Sequence, residues 1–280
     1  MIDTIGPILF TLFIWWFSTG LILWLDRLPR STFPYSMAGA CVVALAGFVA
    51  LYTSREKTDV ASAYCAFTAA IAVWAWHECS FLFGYVTGPE RRPCPPDCRG
   101  PARFLRALRS ILHHEIALAA TAIIIIALTY SGPNHVGLWT FLVLWVMRIS
   151  TKINLFLGVP NVGEEFLPQD LRYIATYFAR RPMNLFFPVA VTLGTVALVI
   201  LLHDRANPAL SPFDSVALSF YTTLLALAVI EHWFLVVPIP VAALWSWSLK
   251  SRSAATPPAP EPTAQVVRLI NPTHSAGRRA

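Results

Sequence analysis

Residues 152–192, KINLFLGVPNVGEEFLPQDLRYIATYFARRPMNLFFPVAVT, form a polar island between two apolar stretches. One hydrophobic run empties into it at Asn154 and another leaves it at Asn184. Between them lie a Gly-Val-Pro-Asn turn ending at Asn161, the adjacent carboxylates Glu164 and Glu165, and a segment closing on Arg180 and Arg181. Polar residues this dense between apolar runs mark a connection between two membrane spans. This connection is expected to be the main functional surface, with these seven Asn, Glu and Arg residues as its partner-contacting set.

Outward from the island, the 280-residue chain is 56% hydrophobic and only 13% charged. A soluble domain carries nearer a quarter charged residues. The charges cluster and leave apolar runs of about twenty residues, the length that crosses a bilayer as a helix. Nothing alternates as barrel strands do, and unpaired backbone is too costly in hydrocarbon, so the predicted fold is an all-α, polytopic bundle. Seven spans are predicted, near 5–25, 35–52, 60–83, 111–130, 136–156, 184–203 and 213–247. Pro238 and Pro240 are expected to kink or end the last one. Residues 1–249 thus read as the membrane domain, and the Ser-, Ala- and Pro-rich residues 250–280 as a disordered tail.

The basic residues set an orientation. Counting Arg148 and Lys152 with the fifth connection, 18 of the 21 Lys and Arg fall in the first, third and fifth connections and the tail. The positive-inside rule then places the N-terminus in the periplasm and connections 84–110 and 157–183 in the cytoplasm. Lipid topology therefore explains the basic pI of about 9.3, and no nucleic-acid partner is expected. Both cytoplasmic connections show helical spacing of apolar residues, Phe104 to Leu112 in one and Leu167, Leu171, Ile174 and Phe178 in the other. Both are expected to lie among headgroups, with their cations toward anionic lipid, and the first reads equally as a solvated elbow before its span.

Ionisable residues inside spans are functional candidates by default, because each is expensive in hydrocarbon. His77 and Glu78 end the third span, His113, His114 and Glu115 open the fourth, and Glu231 and His232 fall in the seventh. The topology puts all of them in the cytoplasmic half of the bilayer, directly over residues 152–192. His77, Glu78, His113, His114, Glu231 and His232 are therefore the candidate cofactor-binding residues. Imidazole and carboxylate together suit a transition metal, a haem or bacteriochlorophyll, or a proton relay. They equally suit interhelical hydrogen bonds that merely hold a bundle together. Consecutive residues 113–115 spread over about 200° of helix, so they cannot share one site. The Glu-x-x-His spacing of di-iron bundles is absent, as are hydrolase and kinase motifs, and no catalytic residues are assigned. Cys94 and Cys98 bracket a rigid Pro-Pro loop and lack the second pair that a structural zinc site needs.

Three segments, WAWHECSFLFGYVTGPERRPCP (74–95), TKINLFLGVPNVGEEFLP (151–168) and ARRPMNLFFPVAVT (179–192), resemble the PuhE-type photosynthetic-complex assembly proteins of purple phototrophic bacteria. The resemblance implies a multi-span protein of the inner (intracytoplasmic) membrane. It further implies a role in assembling the reaction centre and core antenna, whose subunits would be its partners, with handling of bacteriochlorophyll as part of that role. It brings no catalytic motif, and the chain reads as a non-catalytic factor. The alternative is a membrane metalloenzyme acting on a pigment or lipid. The absence of sequence repeats makes a carrier the poorest fit.

Overall fold

The computed structural model describes residues 2–249, with side chains from residue 5; the predicted tail, 250–280, lies outside the described residues. Seven helices are long and apolar enough to cross a membrane: α1 (Ile2–Asp26), α2 (Phe33–Ser54), α3 (Val60–Leu82), α4 (Gly100–Thr129), α5 (Val136–Leu157), α7 (Phe186–Arg205) and α8 (Pro212–Phe234). Two short helices, α6 (Arg172–Ala175) and α9 (Ser246–Leu249), complete the set, and no strand occurs among the described residues. The chain is a multi-pass membrane protein.

Local chemistry explains the helix boundaries. Asp59 and Ser62 form a reciprocal capping box at the start of α3. Ser211 caps α8, with Pro212 in the first turn, where its missing N–H does no harm. At its far end α8 stops at Phe234, four residues before Pro238. The backbone then continues without a long helix as far as Leu249, packed along α1. Trp245 donates to Trp16 O (2.9 Å), Trp16 donates to Leu244 O (2.9 Å), and Trp247 lies against Gly20. These contacts tie the segment to α1.

α3 is the central helix, in contact with α1, α2, α4, α5 and α8. Its core joins Phe67, Phe141, Phe220, Leu118 and Ile125, with the Phe67 and Phe220 rings stacked at 4.3 Å. α2 sits close on α3 because Gly47 faces the Ala69 carbonyl, which a Cβ would approach to 2.9 Å. α7 is peripheral, packed on α8 and α5, and it exposes Leu193, Val196, Val199 and Ile200 as a lipid-facing surface.

The two long connections form one cap over the end of the bundle where α3 and α5 finish. Tyr177 donates to Arg92 O (2.9 Å), Thr176 Oγ1 accepts from Cys94 N (2.8 Å), and Arg103 reaches Phe156 O (3.1 Å) while lying over its ring. Burial, followed by a hydrogen bond with Cys98, raises the Cys94 thiol above its ordinary range, which disfavours its thiolate. Gly88 presses on the α4 backbone at Arg109 and Ser110, and Thr87 O accepts from His114 N (3.0 Å); no side chain fits at that approach.

Two expectations change here. The Phe104–Leu112 segment is not separate from the fourth span: it forms the first turns of α4, whose 30 residues reach about 45 Å against a hydrocarbon thickness of about 30 Å. The apolar face of the second amphipathic segment packs on protein. Pro168 opens a tight 3-10 turn and only α6 is helical; Leu171, Ile174, Leu167 and Phe178 pack on Phe81 and Ile111. Its helical spacing serves the protein interior rather than lipid.

Candidate functional site

Between α1, α3, α4, α5, α8 and the cap lies a cavity of about 1060 Å³. Most of its lining is apolar, and one wall is charged. Glu78 comes from the last turns of α3, Glu115 from the middle of α4, Arg148 and Lys152 from α5, and Glu231 from the end of α8. Positions 145, 148 and 152 fall on one face of α5, at spacings of three and four residues. Arg148 Nη2 donates to Glu78 Oε2 at 2.8 Å. Lys152 pairs with Glu115, which also accepts from Trp145 Nε1 at 3.3 Å. Glu231 accepts from Trp15 Nε1 at 3.0 Å.

The accessibility of these groups bears on what the cavity can hold. Arg148 sits within a membrane-spanning helix, yet 46% of its side chain is accessible, while Glu78 is only 11% exposed. Because Arg148 lines the cavity, its open surface faces that space. A guanidinium facing an apolar lining is costly unless water or a polar group of a ligand meets it.

The six cofactor candidates separate into different environments. Glu78 and Glu231 line the cavity; the four histidines do not. His77 and His114 are buried neighbours with ring centroids 6.3 Å apart, His77 Nε2 bonds Thr121 Oγ1 at 2.9 Å, and the Nδ1 atoms of both rings lack partners. His232 is fully engaged: Nδ1 donates to Ala228 O and Nε2 meets Ser150 Oγ, each at 2.8 Å. His113 is exposed on α4. Among the described residues no three His, Cys, Asp or Glu side chains converge closely enough to hold one metal ion. An imidazole ligand for a pigment magnesium is likewise not on the cavity wall. A pigment there would be held by Arg148 and the carboxylates.

The partner-contacting candidates also separate. Asn154 (0% exposed) and Asn184 (6%) are internal. Asn184 Nδ2 donates to Asn154 Oδ1 (3.0 Å) and Gly158 O (2.9 Å), and Asn184 Oδ1 accepts from Phe186 N and Phe187 N at 2.9 and 3.0 Å. That arrangement closes the ends of the connection and caps α7. Asn161 Nδ2 donates to Phe234 O (3.0 Å) and Val237 O (2.7 Å), which fixes the chain where α8 ends. Glu164, Glu165, Arg180 and Arg181 remain on the surface, and Arg180 bonds Glu164 at 2.7 Å.

Sequence reasoning missed Arg148 and Lys152 as site residues by counting them with the connection. Both lie inside α5. The signal was available: two cations one turn apart at the end of an apolar run, in a chain whose other spans hold carboxylates.

A Rhodobacter capsulatus protein described as an uncharacterized 30.4 kDa protein in the puhA 5' region is 41% identical over 247 residues, covering 86% of this chain and 89% of that one. No solved structure matches the chain significantly. Residues 1–256 match the family described as "Protein of unknown function (DUF3623)", so a polytopic bundle enclosing a charged, capped cavity belongs to the DUF3623 family.

Proposed function

We propose that this chain is a non-catalytic membrane factor that assists assembly of the photosynthetic reaction centre and core antenna, and that its cavity holds a membrane-soluble cargo such as bacteriochlorophyll during that process. The cavity carries the reading. A bundle needing only interhelical glue would pack its ion pairs dry, whereas Arg148 stands open toward a chamber large enough for a substantial ligand. The photosynthetic context comes from the resemblance to PuhE-type assembly proteins and from the relative in the puhA 5' region. The membrane is the inner (intracytoplasmic) one, with the N-terminus periplasmic and the cap cytoplasmic. Moving Arg148 and Lys152 into α5 leaves the charge asymmetry in the same direction.

In a strain lacking the gene, near-infrared absorption of membranes is expected to lose the reaction-centre and core-antenna bands, with restoration on complementation. An accumulating pigment precursor would replace this reading with an enzymatic one, and an unchanged spectrum would end it.

The exposed part of the cap is the proposed docking surface for subunits of those complexes and for anionic lipid. The Arg180–Glu164 pair is about half exposed on both sides, and such surface pairs contribute roughly 0–1 kcal/mol, so it rearranges readily against a partner. Reversing charge with Arg180→Glu and Arg181→Glu is expected to lower core-complex yield severalfold while the protein stays in the membrane. Unchanged yield at equal protein level would place docking elsewhere.

A further inference from the structure

The cavity wall is specific about the charge of what it can accept. Each of the three cations lining it is already matched to a carboxylate, Arg148 to Glu78, Lys152 to Glu115 and the exposed Arg180 to Glu164, while Glu231, held by an indole N–H, and Glu165 add further carboxylates. No surplus positive charge remains for an anionic headgroup. A phosphate or free carboxylate at this depth would meet three glutamates in a low-dielectric setting, where like charges repel strongly.

Hydrogen-bond donors, however, are in surplus. A guanidinium offers five N–H donors, and one nitrogen of Arg148 serves Glu78 while the side chain opens on the cavity. These donors call for acceptors that carry no charge, namely carbonyl oxygens. Farther from the cap the lining is apolar: Ile71 lies seven residues before Glu78, Val143 five before Arg148 and Leu224 seven before Glu231. At 1.5 Å per residue the chamber therefore extends about 7–10 Å beyond the charged wall toward the middle of the bilayer. Trp15, Trp74 and Trp245 also line it, aromatic side chains suited to packing with a planar group.

We infer that the cavity binds an uncharged, carbonyl-bearing planar amphiphile, with its carbonyl oxygens on Arg148 and its hydrocarbon portion along Ile71, Val143 and Leu224. A prenylated quinone and a phytylated chlorin share this chemistry. The inference rests on the cavity being a cargo site and names the cargo's class.

The test uses the full chain purified in a neutral detergent, with intrinsic tryptophan fluorescence as readout. The probes are a ubiquinone, bacteriochlorophyll a, phosphatidylglycerol and a fatty acid. Saturable quenching by the quinone, the chlorin or both is expected, and the one that saturates identifies the source. Phosphatidylglycerol and the fatty acid should not displace it. Arg148→Lys keeps a cation for Glu78 but removes the guanidinium fork, and should weaken binding about tenfold with little loss of fold. Wild-type affinity in Arg148→Lys, displacement by either anionic amphiphile, or no saturable binding would each overturn the inference. Because the assay needs no photosynthetic phenotype, the two readings fail separately. A deletion strain that loses its core bands while the pure protein ignores carbonyl amphiphiles refutes the ligand class and leaves the assembly role standing.

Discussion

Replacing Arg148 with Met is expected to destabilise the folded protein by about 3 kcal/mol, and pairing that change with Glu78→Leu is expected to restore most of the loss. Glu78 is the group that decides the outcome. Its side chain is 11% exposed, its Oε1 has no partner, and its Oε2 depends on Arg148 at 2.8 Å. Without Arg148 the carboxylate stands in the bundle with no cation. Lys152, one turn further along α5, cannot move up without abandoning Glu115. Removing one member of a buried pair typically costs about 3–5 kcal/mol, whereas replacing both with apolar groups of similar volume is near neutral. The lower end applies because Arg148 is half open to the cavity, where water screens it. Thermal unfolding in detergent of the two single variants and the double variant checks this. Equal stability of Arg148→Met and wild type would mean that cavity water already satisfies Glu78. A stable double variant would also separate architecture from function, since it keeps the bundle while losing the donors proposed to hold the ligand.

Much of this arrangement is legible from residue type and spacing, and the exceptions have physical causes. Seven apolar runs of that length without strand alternation predict seven helices, because only helices and closed barrels satisfy their backbone in hydrocarbon, and that argument needs only length, composition and pattern. Glu78 and Glu231 stand out because a carboxylate inside a span requires a reason. The histidines stand out equally, yet His77, His114 and His232 turn toward neighbouring helices rather than the cavity. Facing depends on helix rotation, which span boundaries uncertain by several residues do not fix. The same uncertainty hid Arg148 and Lys152, whose charge made the end of α5 look like the start of a loop. In the last span, Pro238 and Pro240 foretell the stop at Phe234, but nothing local shows that the released chain lies along α1. That contact joins residues more than two hundred positions apart. Residues 167–178 carry a genuine helical spacing that here buries a mostly non-helical strap on α3 and α4. Periodicity reports that a face is buried, and only the fold says against what.

Asn184→Leu is expected to be the most disruptive single change in the cap, costing about 4 kcal/mol. Leucine keeps the branching of asparagine at Cγ but is larger and makes no hydrogen bonds, so lost hydrogen bonding and overpacking act in the same direction. The side chain of Asn184 gives its amide to Asn154 Oδ1 and Gly158 O, and accepts from the Phe186 and Phe187 amides at the start of α7. Leucine leaves those four groups without their partner in a buried setting, and each unsatisfied buried group costs about 1–3 kcal/mol before relaxation. Relaxation is restricted because Gly158 has φ 124°, a conformation that favours glycine, and the Arg181 side chain packs against it. The variant should therefore lose the cap before it loses the bundle. Limited proteolysis within residues 157–183 should accelerate strongly, while the melting of helical signal shifts less. Asn184→Asp retains both acceptor bonds and should protect the α7 end while weakening the link to Gly158, giving an intermediate phenotype. If Asn184→Leu leaves cap proteolysis unchanged, the asparagine pair is incidental and Tyr177, Arg103 and the α6 strap hold the cap unaided. If it releases the cap, the two connections are held in place by their own ends, and the exposed residues 164, 165, 180 and 181 form a surface set rigidly beneath the cavity.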